Sequence, residues 1–127
     1  MLVLMIALGG ALGAVARYGL SGWVQAAMGT TFPMGTLVVN VLGSFLLGLS
    51  LPLFESLAWS AETRTMLTMG FLGAFTTYST FSYEAVVLFE GGEWTRGGLY
   101  MGGSLLLGLA GIVSGMAFAS FLLQTRG

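Results

Sequence analysis

The chain contains no cysteine, no histidine and no aspartate, and its four basic residues are all arginine. Without cysteine there is neither a disulfide framework nor thiol chemistry. Without imidazole or thiolate ligands a transition-metal site is excluded, so any cation must be held by oxygens, most simply carbonyls and hydroxyls. Arg17, Arg64, Arg96 and Arg126 are scattered and make no basic patch, and no nucleic-acid partner is expected. Charge of either sign is scarce: 7% of the 127 residues are charged and 56% are hydrophobic, with a mean hydropathy of +0.92. That is too little polar surface for a soluble domain, and the composition is that of an integral membrane protein.

A helix needs about 20 apolar residues to cross the hydrocarbon core. The sequence offers four such stretches, about residues 2–27, 34–53, 65–89 and 99–123, which predicts one all-α transmembrane domain over 1–127. The apolar start MLVLMIALGG has no basic lead and no clean cleavage site, so it reads as the first span. Four crossings put both termini on one side. That side carries Arg64 and Arg126 and the other Arg96, an asymmetry too small to choose one orientation. Glycine recurs at four-residue spacing, at Gly9 and Gly13, Gly98 and Gly102, Gly111 and Gly115, the pattern of helices packed closely on small residues.

The third stretch is the unusual one. Thr65 to Tyr83 holds no charge, yet its middle is Gly73, Thr76, Thr77, Tyr78, Ser79 and Thr80. Irregular, polar backbone at membrane depth is tolerated only inside protein or beside a water-filled cavity, so a permeation protein is expected. Tyr78 and Phe81 lie three residues apart among hydroxyls, and a ring edge carries positive potential that suits a small anion. The second stretch sets Thr36, Asn40 and Ser44 on one helical stripe. Asn40 would be costly against lipid, and its two N–H donors suit an anion. In the fourth, Tyr100, Ser104, Gly108 and Gly115 share a face, which reads equally as a donor track or as a packing seam. Arg17 and Glu84 are charges within spans. For Arg17, snorkelling, a buried hydrogen bond and ion attraction all remain open; Glu84 is placed near the wet end of its span and given no transport role.

Three motifs in order, GGALGAVARY (9–18), GTLVVNVLGSFLLG (35–48) and GFLGAFTTYSTFSYE (70–84), resemble the Fluc family of fluoride channels, also called CrcB. The resemblance covers all four spans. It implies a passive, fluoride-selective channel that lowers cytoplasmic fluoride, built as an antiparallel, dual-topology homodimer in the cell's inner membrane, with four helices per subunit and a break in the third. It further implies a structural sodium ion at the dimer interface, held by the carbonyls of Gly73 and Thr76. The family's pore residues fall on Asn40, Tyr78 and Phe81 and on the hydroxyls of Tyr100 and Ser104; Thr36, Ser79 and Thr80 are added here as further donors. Arg17 matches the first-helix arginine. Two positions depart from the pattern: Tyr78 stands where phenylalanine is usual, and Gly108 where a further hydroxyl is expected.

Other classes fit less well. A four-helix cation or drug exporter needs an acidic residue central in its first span, and this one holds Arg17 instead. A structural scaffold would explain the glycines but not the hydroxyls of the third span. No nucleophile, base and orienting group come together, so no enzyme is expected.

Overall fold

A computed structural model describes residues 1–127, and every element in it is helical. Two long helices, α1 (Leu2–Met28) and α2 (Met34–Ser56), precede a series of shorter pieces: α3 (Ala61–Thr65), a π-helical stretch (Met66–Leu72), α4 (Gly73–Phe75) and α5 (Tyr78–Glu90). The chain closes with α6 (Trp94–Arg126). α1, α2 and α6 are each long and apolar enough to cross a membrane. Even α2, the shortest of them at 23 residues, extends about 35 Å at about 1.5 Å per residue.

Local chemistry sets the turns. Gly29 ends α1 in the left-handed conformation (φ 60°, ψ 31°), which costs little without a Cβ. One side chain then folds the turn into α2. The Gln25 amide donates to the carbonyls of Thr30 (2.6 Å) and Phe32 (3.0 Å), and its oxygen accepts from the Gly35 N–H (3.1 Å). At the start of α3, Ser60 caps the helix by accepting from the Thr63 N–H (3.2 Å).

The most extensive packing joins α2 to α6, and it depends on small residues. Gly111 and Gly115 lie against the backbone of Val41 and Phe45, while Gly48 lies reciprocally against Ile112. On the other side of the subunit, a Cβ at Gly9 would come within 2.8 Å of the Met66 carbonyl, and Gly13 meets Phe71 in the same way. Gly98 and Gly102 differ: neither has a neighbour within 4 Å. Four-residue spacing puts two glycines on one face without saying what that face meets, and here it meets nothing in the subunit.

Only 20 of the 127 residues are buried, so most apolar side chains point outward, among them Val3, Leu12, Leu106 and Phe121. Lipid is the solvent such a surface requires. The one compact apolar cluster, Ala85, Leu88 and Tyr100 with Phe32, Leu37 and Phe81 against it, pins α5 to α6.

Candidate functional site

Between α4 and α5 the helix gives way. Thr76 (φ −88°, ψ 157°) and Thr77 (φ −147°, ψ 119°) are extended, and each free polar group this creates needs a partner at membrane depth. The Thr77 hydroxyl caps α5 by accepting from the Thr80 N–H (3.2 Å). From α2, Asn40 Nδ2 donates to the Thr77 carbonyl (3.0 Å), while Oδ1 accepts from the Thr77 N–H (2.8 Å). Flipping the amide would set N–H against N–H and oxygen against oxygen, so this pairing fixes its orientation. From α1, Arg17 Nε donates to the Ala74 carbonyl (2.9 Å).

Two further details shape the break. Thr76 turns both its N–H (3.0 Å) and its hydroxyl (2.9 Å) back to the Leu72 carbonyl. Gly43 lets α2 approach, because a Cβ there would run into the Thr76 methyl and come within 3.2 Å of the Phe75 ring. The carbonyls of Gly73 and Thr76 accept none of these bonds. No cluster of acidic or imidazole ligands exists anywhere in the chain, so an ion held at the break would have to be one that takes carbonyl and hydroxyl oxygens, an alkali or alkaline-earth ion.

Two open grooves flank this region. The first, about 510 Å³, is lined by Ser21, Gln25, Thr36, Thr80 and Glu84 among others. The second, about 350 Å³, is lined by Asn40, Ser44, Thr76, Thr77, Tyr78, Phe81, Ser104 and Gly108 with apolar neighbours, and contains no carboxylate. A run of aromatic rings leads inward from the second groove: Tyr78 to Phe81 (6.0 Å between centroids), Phe81 to the buried Tyr100 (5.2 Å), and Tyr100 edge-on to Phe32 (5.6 Å).

The expected site residues therefore divide. Asn40, Tyr78, Phe81 and Ser104 share the second groove. Thr36 and Thr80 line the first. The Tyr100 ring is fully buried beside both. Ser79 lines neither groove and is exposed, its hydroxyl 3.5 Å from that of Thr77. Gly73 is exposed, and Arg17 props up the break rather than lining a groove.

Sequence reasoning set Glu84 aside, yet its carboxylate sits at the centre of the first set of hydroxyls. Thr36 Oγ1 donates to Oε1 (2.5 Å) and the Tyr100 hydroxyl to Oε2 (3.4 Å). A hydroxyl whose proton points at a carboxylate has none left for an anion. Thr36 and Tyr100 are thus committed to Glu84, whereas Asn40 keeps one N–H free and the buried Ser104 Oγ has no partner at all. An acid inside a span was the available signal for Glu84. Its partners lie 48 and 16 residues away in sequence and could not be read from it.

The profile of a family described as CrcB-like protein, Camphor Resistance (CrcB), matches residues 4–116. A protein named fluoride-specific ion channel FluC from Thermus thermophilus is 55% identical over 106 residues, covering 84% of each chain. One of the same name from Rhizobium etli is 46% identical over 114 residues, 89% of this chain and 91% of that one. Another, from Dehalococcoides mccartyi, is 45% identical over 126 residues, 98% and 97% respectively.

Proposed function

The chain belongs to the CrcB-like protein family and is a multi-pass integral membrane protein, and from that premise we propose that it is a passive, fluoride-selective channel of the inner membrane that lets fluoride leave the cell. The relatives are named as channels, not enzymes. The observation that carries the reading is the second groove. It brings together a free amide N–H of Asn40, the unpartnered hydroxyl of Ser104 and the rings of Tyr78 and Phe81, and it has no carboxylate.

Fluoride is small and strongly hydrated, and it enters an apolar constriction only if protein donors replace its water. Asn40 and Ser104 act as those donors. The edges of Phe81 and Tyr78 then carry the ion past the narrow apolar part, where their positive rims face it. Thr80 serves from the first groove and Ser79 from the exposed face of α5. Thr36 and Tyr100 join only when their hydroxyls turn away from Glu84. Several weak positions suit conduction better than one strong site, because the ion must also leave.

The 61–90 segment is read as one discontinuous crossing, which makes 1–127 a four-crossing domain. Two such subunits pair antiparallel, a reading supported by the near balance of Arg64 and Arg126 against Arg96. It is further supported by Tyr78, which is 81% exposed in a single subunit although its neighbour Phe81 is tucked against Tyr100. A sodium ion held between subunits by the Gly73 and Thr76 carbonyls would lock the two breaks together; an experimental map without ion density there would count against it. The channel reading itself is tested with purified protein in liposomes loaded with fluoride. A fluoride electrode should record rapid efflux once a permeant counter-ion balances charge, and chloride-loaded vesicles should release little.

A further inference from the structure

Hydroxyls in the apolar helices of this chain mostly satisfy themselves. Ser21, Ser50 and Ser114 each donate to a carbonyl one turn back in their own helix, at 2.6, 2.6 and 3.0 Å, and Thr68 to that of Arg64 four residues back in α3, at 2.8 Å. Ser44 and Ser104 do not. Both line the second groove, the Ser104 Oγ is buried without a partner, and Ser44 makes no side-chain hydrogen bond. An unpaired hydroxyl at this depth is costly, and two of them facing one cavity point to a ligand that takes their protons.

Their placement explains what that ligand meets. On α6 the line Tyr100, Ser104 goes blank at Gly108. A Cβ built at Gly108 has one neighbour within 4 Å, the Ser44 Oγ at 3.8 Å. The hydroxyl of Ser44, one turn beyond Asn40 on α2, therefore reaches the space that a side chain at 108 would fill. Resting on the channel reading above, we infer that Ser44 is an ion-coordinating residue of this protein, supplying from α2 the donor that α6 lacks at Gly108. The groove offers amide and hydroxyl protons and no carboxylate, so the ligand is a small, strongly hydrated anion rather than a cation.

The test is fluoride efflux from liposomes, with gel filtration to confirm folding. Ser44→Ala should slow efflux roughly five-fold, the effect of losing one neutral hydrogen bond. Adding Gly108→Ser to that variant should restore most of the rate, because the new hydroxyl arises beside the lost one. Ser50→Ala, whose hydroxyl only turns back to Leu46, should change nothing. If Ser44→Ala fails to fold, the pair Ser44→Thr and Ser44→Val decides: the first keeps the hydroxyl and the rate, and the second, of the same shape, loses it. Efflux unchanged in Ser44→Ala or in Ser44→Val, with a conducting parent protein, overturns this inference and leaves the channel reading intact. A slowed Ser44→Ala that Gly108→Ser does not rescue assigns Ser44 a packing role and also overturns it. A parent protein that passes no fluoride overturns both.

Discussion

Replacing Asn40 by aspartate changes one atom type at the place where the break is held and where the proposed path takes up its anion. The Thr77 N–H keeps its acceptor, but the Thr77 carbonyl, 3.0 Å from Nδ2, now faces an oxygen. Losing that hydrogen bond and leaving a buried carbonyl unpaired costs about 1–3 kcal/mol. The new charge matters more. An anion within about 4 Å of the carboxylate meets a repulsion of about 4 kcal/mol at an effective dielectric constant of about 20, and about 1.4 kcal/mol is a factor of ten. Efflux in Asn40→Asp should therefore fall by roughly a thousand-fold, to near the background of protein-free liposomes. A well-folded Asn40→Asp protein with wild-type efflux would refute the reasoning.

Phe81→Ile keeps bulk but removes the ring edge and the 5.2 Å contact with Tyr100; efflux should drop at least ten-fold, while thermal unfolding shifts by an amount corresponding to about 1 kcal/mol. Tyr78→Phe should leave efflux within about two-fold, because the Tyr78 hydroxyl makes no hydrogen bond and the ring remains; a large loss would show that the hydroxyl binds the ion. Gly43→Ala drives a methyl into Thr76 and should cost about 1–3 kcal/mol of stability and most of the transport; a melting curve identical to wild type would mean that the break does not pack on α2 as described. A cysteine-reactive or protease-sensitive tag after Gly127 should be reached from both faces of intact membranes, and labelling confined to one face would rule out dual insertion.

The three long helices are legible in hydropathy alone, since α1, α2 and α6 coincide with continuous apolar runs. So is the polar knot at 76–80, because no lipid-facing helix needs it. The π-helical stretch is not: MLTMGFL reads as an ordinary apolar turn, and its widened backbone carries no residue-level mark. Gly9, Gly13, Gly111 and Gly115 were readable as seams because their faces find neighbours. Gly98 and Gly102 have the same spacing and none, a difference only the folded chain decides. Within the site, residue types pointed to Asn40 as a donor. They did not show that its amide would grip both backbone groups of Thr77, 37 residues on. The contacts of Glu84 were hidden for the same reason, since Thr36 and Tyr100, which donate to it, lie remote in sequence.

Passive conduction of fluoride should be visible as current through the protein in a planar bilayer under opposed ion gradients. The reversal potential should follow the fluoride equilibrium potential and stay fixed when chloride or pH is varied on one side. A reversal potential that moves with the proton gradient, or follows chloride, would contradict the account.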